Sequence, residues 1–284
     1  MSASALLPAA LASLAPVAWL APLTPSPAEP SVTLWNWIGT AGMSVGVVAF
    51  GLATRRAGSE YAKQSRVSLF FVPLIATALY LGLAMGQGTT TVEGEKVTWL
   101  RYVTWFTTTP LLLNQLARLV HARGSVVWSL LLPNQFMIGT GLLAELSPAP
   151  QKWAWYAVSS IAFVFILATL LGDLTRESRD MPPDVQALFR RLRDVNIVTW
   201  IGYPVVWILG TKGFEVLGPG SQAGGYVLLD LASKVGFGML VLAGAGALER
   251  SGQLAGTRDG RERRVTPEAL PPEVREARVA GTVR

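Results

Sequence analysis

The sequence predicts an all-α membrane protein built as a bundle of seven transmembrane helices. Only 15% of its 284 residues are charged, whereas a soluble domain carries about 25%. The charged residues lie in short clusters, separated by apolar runs of about 20 residues, the length that crosses the hydrocarbon core of a bilayer. No segments of about ten alternating residues occur, and a transmembrane β-barrel would require them.

Seven apolar runs qualify as spans, and each is rich in Leu, Val and Ala and bounded by Arg, Pro or Gly. We expect them to be helices, because backbone groups in lipid must be hydrogen bonded within their own segment. The predicted spans are Val32–Ala53, Val67–Met85, Leu100–Leu119, Val126–Leu146, Trp153–Leu171, Phe189–Leu209 and Gly225–Leu248.

The distribution of Lys and Arg predicts the orientation of the bundle. With the amino terminus outside, 19 basic residues fall in the inner loops and tail, against 3 outside, namely Lys96, Lys152 and Lys212. Cytoplasmic loops carry the excess of Lys and Arg in membrane proteins. The sequence therefore predicts an external amino terminus, an internal carboxyl terminus and a place in the cell membrane, the prokaryotic plasma membrane.

Three regions follow from this assignment. Residues 1–31 form an extracellular segment that caps the bundle or acts as a signal-like leader, and residues 32–248 form the helical bundle. Residues 249–284 are polar and rich in Arg and Pro, which predicts a disordered basic tail on the cytoplasmic side.

Composition excludes several functional classes. The chain has no cysteine and a single histidine, His121, so thiol chemistry, disulfides, a histidine-based triad and a cysteine or histidine metal site are not expected. The basic residues follow membrane topology and form no patch on a soluble module, so we expect contact with membrane lipids and not with nucleic acid. We do not expect an enzyme.

Three charged residues lie within the predicted spans: Arg101, Lys234 and, as the only deep acid, Asp230. Charges inside a membrane are costly and mark function by default. Asp230 precedes Lys234 by one helical turn, so the two share a face. One interpretation is a structural ion pair. The other is a lysine whose amine forms a Schiff base with a carbonyl ligand, with Asp230 as counter-ion.

Motifs around these charges resemble the microbial rhodopsins, and the resemblance extends from the second span to the seventh. Leu229–Gly238 is similar to their retinal-attachment helix, Trp200–Trp207 to their aromatic wall and Arg101–Leu111 to their photoactive-site helix. Met137–Gly141 resembles the pocket beside the ionone ring, and Tyr80 matches a further pocket residue.

The resemblance implies all-trans retinal bound as a Schiff base to Lys234, with Asp230 as its counter-ion. It also implies a homo-oligomer, either a trimer or a pentamer. A polyene needs a long apolar slot with flat walls. The implied pocket residues are Lys234, Asp230, Trp105, Trp200, Tyr203, Trp207, Thr109, Met137, Gly141 and Tyr80.

The third span departs from the pattern of the family's outward proton pumps. Thr104 occupies the position of the proton-accepting carboxylate, Thr108 the next motif position, and Gln115 that of the cytoplasmic proton donor. Two outer glutamates that release protons in such pumps are replaced by Lys212 and Gln222. A proton relay needs titratable groups, so this pattern disfavours proton transport.

Counting charges favours an anion. A protonated Schiff base and Arg101 against Asp230 leave one uncompensated positive charge, which is costly when buried. We therefore expect an anion site formed by Arg101, Thr104, Thr108 and Asp230, with exit to the cytoplasm past Gln115. The resemblance then favours a light-driven inward chloride pump of the halorhodopsin-like branch. A photosensory rhodopsin or a light-gated anion channel remains the alternative, and Thr-Thr-Gln mixes two chloride-pump motifs, which leaves anion selectivity open.

Overall fold

A computed structural model describes residues 29–55, 60–92 and 94–252, and long helices account for most of this part of the chain. The described residues contain seven long helices, one for each predicted span, which confirms the predicted fold class. They are α1 (Pro30–Thr54), α2 (Glu60–Ala84), α3 (Trp99–Leu119), α4 (Gly124–Leu146), α5 (Gln151–Ser178), α6 (Pro183–Leu209) and α7 (Pro219–Ala243).

Five of these helices are long and apolar enough, by length and composition, to cross a membrane: α1, α2, α4, α5 and α7. The other two owe their lower hydropathy to polar residues with particular positions. Helix α3 contains Arg101 and the buried Thr104, Thr108 and Thr109. Helix α6 carries three arginines within its first 11 residues, at positions 190, 191 and 193. Polar groups inside a bundle are compatible with a span when they face protein and not lipid.

A short hairpin joins α2 to α3 within a threonine-rich segment. Strands β1 (Thr90–Val92) and β2 (Glu95–Val97) pair antiparallel with Thr90 opposite Val97. Gly94 in the turn has φ of +83°, in the left-handed region that glycine adopts at little cost. We call this end of the bundle the hairpin end. The opposite end, which carries Arg118, Arg123, Arg176 and Arg193, is called the arginine end.

The helices pack mainly against their neighbours in sequence, and α7 closes the bundle by packing against both α6 and α1. Glycines on α1 allow these close approaches. A Cβ atom at Gly39 would lie 2.7 Å from the ring of Tyr80, and one at Gly42 would lie 2.5 Å from Leu231. Small residues at helix interfaces permit such backbone contact in membrane bundles.

The apolar core fills the arginine half of the bundle, where Leu112, Leu116, Leu192 and Phe237 are fully or almost fully buried in one cluster. The buried polar residues of α3 and α7 lie from the middle of the bundle toward the hairpin end, with Gln115 as an exception. The core thus closes the arginine half and leaves the centre for a polar site.

Two stretches of π-helix interrupt the α-helices, at Leu170–Leu174 in α5 and at Leu231–Gly236 in α7. The second contains Lys234. A π-helical turn rotates the side chains that follow it relative to a regular helix, and such turns are frequent at functional sites.

The described chain continues beyond α7 as helical turns through residue 252. Ser251 is fully buried there and donates a hydrogen bond to the carbonyl of Leu119 at 2.9 Å. The bundle therefore extends past the predicted boundary at residue 248. Most of the predicted amino-terminal segment 1–31 and of the predicted tail 249–284 lies outside the described residues.

Candidate functional site

A buried ion pair marks the middle of α7. The side chains of Lys234 and Asp230 are each 1% exposed, and the Lys234 amine donates a short hydrogen bond to Oδ1 of Asp230. The spacing of four residues predicts this contact. A lysine held this deeply cannot extend its amine to either surface of the bundle.

Asp230 also accepts hydrogen bonds from three side chains on other helices. The Tyr80 hydroxyl on α2 donates to Oδ2 at 2.7 Å, and the Trp105 indole on α3 donates to Oδ1 at 3.1 Å. The Tyr203 hydroxyl on α6 donates to Oδ1 at 2.6 Å. A buried carboxylate is tolerated when it is paired and its lone pairs are satisfied. Asp230 therefore links four helices around Lys234.

An apolar cavity adjoins this cluster and extends between α3, α4, α5 and α6. Seven of the predicted pocket residues line it: Trp105, Thr109, Met137, Gly141, Trp200, Tyr203 and Trp207. Trp105 and Tyr203 contact both the cavity and Asp230, so they separate the cavity from the ion pair. A Cβ atom at Gly141 would lie 3.3 Å from Tyr102 and 3.4 Å from the Ser159 hydroxyl, so a side chain at this position would be tightly packed.

The remaining predicted pocket residues, Tyr80, Asp230 and Lys234, lie in the hydrogen-bonded cluster and not on the cavity wall. The structure thus divides the ten predicted residues into a cavity with flat aromatic walls and a charged end. Lys234 is placed at that end, behind Trp105 and Tyr203.

The predicted polar residues of α3 are all buried, but they are not gathered at one point. The Thr104 hydroxyl bonds the carbonyl of Leu100 at 3.2 Å, and that of Thr108 bonds the carbonyl of Thr104 at 2.7 Å. Both hydroxyls are therefore engaged by the helix backbone rather than directed at Lys234. Gln115 is buried two turns further toward the arginine end, away from the cavity.

Arg101 is buried at the hairpin end of α3 and is only 8% exposed. Its guanidinium carbon lies 4.4 Å above the centre of the Tyr226 ring, a cation–π contact. Its Nε has no hydrogen-bond partner. Among the described residues, no carboxylate lies within the 4.0 Å of an ion pair with Arg101.

Glu145 corrects the expectation that Asp230 is the only deep acid. It lies near the hairpin end of α4 and is 8% exposed. Its Oε2 accepts hydrogen bonds from the Trp207 indole at 2.6 Å and from the Tyr102 hydroxyl at 3.3 Å. Both donors line the cavity. Glu145 therefore supports the cavity wall from behind, at the end remote from Lys234.

Several other site residues escape sequence reasoning. Tyr102, Tyr156 and Tyr226 line the cavity, and Tyr156 stacks on Trp207 with ring centres 4.6 Å apart. Asn134 is fully buried and donates to the Thr109 hydroxyl at 2.8 Å. These residues share one feature, a position on the interior face of an apolar helix. That face can be assigned only when the rotation of each helix about its axis is known.

The fold and the site together define a class: a multi-pass helical membrane protein with a buried lysine–carboxylate pair beside an aromatic cavity. Comparison with known families agrees with this class. A family model described as bacteriorhodopsin-like protein matches residues 30–248. The chain belongs to the bacteriorhodopsin-like family of microbial rhodopsins.

Relatives cover most of the chain. It is 39% identical over 224 residues to a bacteriorhodopsin from Haloterrigena sp. (strain arg-4), covering 77% of this chain and 90% of that protein. Cruxrhodopsin-1 from Haloarcula argentinensis is 35% identical over 244 residues, covering 81% of this chain and 97% of that protein.

Solved structures show the same similarity. A cyanorhodopsin from Calothrix sp. NIES-2098 superposes with a TM-score of 0.76 at 33% identity, covering 79% of this chain and 99% of that chain. Thermophilic rhodopsin from Rubrobacter xylanophilus gives a TM-score of 0.76 at 34% identity, covering 78% and 99%. These relatives support the microbial rhodopsin family as predicted, but they do not single out its halorhodopsin-like branch.

Family membership implies a retinal chromophore, and the residues present fit it. Retinal is long, flat and apolar and ends in a carbonyl carbon. The cavity supplies flat walls in Trp105, Trp200 and Trp207, and Lys234 supplies the one buried amine at its charged end among the described spans.

Proposed function

We propose that this protein is a light-driven inward anion pump for chloride, with retinal attached to Lys234 through a Schiff base. Retinal supplies light absorption and a change of shape within the cavity. The resident residues supply the charge pattern, the ion path and the exclusion of water. The hairpin end faces outward in this proposal and the arginine end faces the cytoplasm, following the basic residues.

The observation that carries the proposal is the absence of a carboxylate from α3. Between Trp99 and Leu119 the helix contains no Asp or Glu, and Thr104 and Gln115 stand at the two depths that a proton relay would use. Neither a hydroxyl nor an amide exchanges a proton near neutral pH. Transport of an anion needs hydrogen-bond donors and positive charge instead.

The balance of buried charge supports the same conclusion. From the middle of the bundle to the hairpin end, the described buried cations are Arg101, Lys212 and Lys234, and the buried carboxylates are Asp230 and Glu145. Glu145 was not counted in the sequence-based argument, and neither was Lys212, so the surplus remains one positive charge. A single monovalent anion neutralises it, which lowers the cost of burying that charge.

The chain's residues divide the work of binding and release. Arg101 attracts the anion from the outer side, and Asp230 holds the Lys234 end in one orientation through its four donors. Rotation of the Thr104 and Thr108 side chains redirects their hydroxyls from the backbone carbonyls to the anion. Gln115 then offers an amide donor on the way to the cytoplasm.

Illumination of cells in chloride and in sulfate media tests the proposal. Inward chloride pumping makes the cell interior more negative, so protons enter passively and the medium becomes alkaline. A protonophore enhances this effect, and sulfate abolishes it. Acidification of the medium that a protonophore abolishes would instead show outward proton pumping and overturn the proposal.

A photosensory rhodopsin or a light-gated anion channel is the second candidate, because the same buried site serves either function without active transport. Light-driven chloride movement in vesicles loaded with chloride distinguishes the pump from the channel and the sensor. A pump moves chloride against its gradient under light, whereas a channel dissipates the gradient and a sensor leaves it unchanged.

A further inference from the structure

Lys212 is a buried lysine in the segment that joins α6 to α7. It is 3% exposed, less than Arg101, although it lies outside both helices. Within the described chain it makes no hydrogen bond and has no carboxylate within the 4.0 Å of an ion pair. A lysine this enclosed, with no carboxylate beside it, keeps little hydration for its charge, which favours an anion near it.

The residue next to Lys212 is bonded to the face of α7 that carries Arg101's ring partner. Thr211, its neighbour in sequence, directs its backbone N–H and its hydroxyl to Oε1 of Gln222, at 3.3 and 3.2 Å. Gln222 lies one turn before Tyr226 on the same face of α7, and the Tyr226 ring lies under the Arg101 guanidinium. The two cations therefore belong to one polar region at the hairpin end.

Glu145, the buried acid that the structure describes at this end, cannot neutralise both cations. Glu145 interacts electrostatically with Arg101 and with Lys212, but it lies beyond ion-pair distance from each. Its Oε2 is occupied by Trp207 and Tyr102. Two buried cations thus share one distant carboxylate, and Nε of Arg101 has no acceptor.

We propose that Lys212 and Arg101 form an entry site for a small monovalent anion, such as a halide, at the hairpin end of the bundle. This site is separate from the anion position beside Lys234, and the inference rests on the proposed anion transport. The surplus of one charge is balanced by one monovalent ion at a time, which occupies this site first and the position beside Lys234 afterwards. Anions captured at this site enter the path toward Thr104, so the site raises the rate of loading.

The experiment compares Lys212→Gln with Lys152→Gln in the full-length, retinal-loaded protein. Lys152 lies at the same end but over the ring of Trp153, so its replacement removes the same charge outside the proposed site. Chloride binding is measured from the broadening of the chloride NMR line, and loading from the initial rate of light-driven uptake in vesicles. Lys212→Arg keeps the charge and tests for rescue.

We expect Lys212→Gln to raise the chloride concentration for half-maximal uptake about tenfold and to reduce the line broadening, because one close charge is lost. In Lys152→Gln and Lys212→Arg the chloride concentration for half-maximal uptake should stay within about twofold of the value for the unmodified protein, because neither variant removes a charge from the site. Equal uptake and broadening in both glutamine variants would overturn the entry site.

Failure of the parent proposal gives a different result. The colour of the retinal-loaded protein reports the anion beside Lys234. If that colour is indifferent to chloride while Lys212→Gln still reduces the line broadening, the entry site stands as a binding site and the transport proposal fails. If the colour responds but Lys212→Gln changes neither measurement, only the entry site is wrong.

Discussion

Asp230 is the side chain that joins the separate parts of the candidate site. Its two oxygens accept hydrogen bonds from Tyr80, Trp105, Tyr203 and Lys234, which come from four different helices. Removing a partner from a buried ion pair costs far more than the pair gains, because the remaining charge is left uncompensated. Each residue of this cluster therefore affects both chromophore chemistry and bundle stability.

Lys234→Ala tests the attachment point directly. We expect the variant to be inserted in the membrane but to stay colourless with all-trans retinal, because no other buried amine adjoins the cavity at that end. The measurement is the visible absorption band after reconstitution, with Lys152→Ala as the control that stays coloured. A band in Lys234→Ala that resists hydroxylamine would place the linkage on another residue.

Thr104→Asp tests the role of the neutral third helix. An aspartate here supplies a negative charge near Lys234 and balances the surplus without an anion, so chloride dependence of the colour and of transport should be lost. Thr104→Val removes the hydroxyl without adding charge and should keep the chloride response in weakened form. Unchanged chloride transport in Thr104→Asp would mean that the anion binds elsewhere.

Glu145 is predicted to stabilise the cavity wall. Glu145→Leu leaves the Trp207 indole and the Tyr102 hydroxyl buried without their acceptor, which costs about 1–3 kcal/mol per orphaned group. Glu145→Gln retains an acceptor oxygen and should lose less. Thermal bleaching of the visible band measures both variants. Equal bleaching temperatures for Glu145→Leu and the unmodified protein would show that these hydrogen bonds do not support the wall.

At the scale of elements, the close packing of α1 against α2 and α7 positions the site. Gly39 lies so near the Tyr80 ring that a Cβ atom would approach within 2.7 Å, and Tyr80 is the donor from α2 to Asp230. Close packing at this interface thus positions one hydrogen-bond donor to Asp230, although the described hydrogen bonds to Asp230 come from other helices.

Gly39→Ala should therefore change the site from a distance. The new methyl group pushes the Tyr80 ring away and lengthens its hydrogen bond to Asp230, and such overpacking costs about 1–3 kcal/mol. Loss of that bond leaves more negative charge facing Lys234, so the absorption band should shift to the blue, as in Tyr80→Phe. Gly139→Ala meets nothing within 4 Å and is the control. Identical spectra in both alanine variants would show that Tyr80 tolerates the displacement.

Sequence reasoning works well for elements whose pattern is local. Lys234 and Asp230 are conspicuous in the sequence because they interrupt an apolar run. The π-helical turn around Lys234 was not foreseen, since it depends on how α7 packs against its neighbours. Glu145 was missed because it precedes Leu146 at a predicted span end, where an acid is usually taken to be solvated.

At the scale of the whole molecule, charge is distributed unevenly along the bundle axis. Arginines are concentrated at the arginine end, whereas the hairpin half buries Arg101, Lys212 and Glu145. Sequence counting predicted a surplus of one charge from three residues. The structure gives the same surplus from five buried charged residues, because Lys212 and Glu145 add one charge of each sign. The burial of these two residues depends on the fold and cannot be predicted from hydropathy.

The last prediction follows from this surplus: chloride binds in the dark and shifts the absorption of the retinal-loaded protein to the blue. A negative charge near the Schiff base stabilises the ground state, where positive charge is localised at that end. The excited state spreads the charge along the polyene and gains less, so the energy gap widens. Without chloride the band should lie further to the red, or the Schiff-base proton should be lost more readily, since a neighbouring cation disfavours the protonated form.

The shift should saturate with chloride and weaken in Arg101→Gln, whose control is Lys152→Gln. A spectrum indifferent to chloride up to molar concentration would mean that no anion occupies the resting site, and the photosensory function would then be favoured.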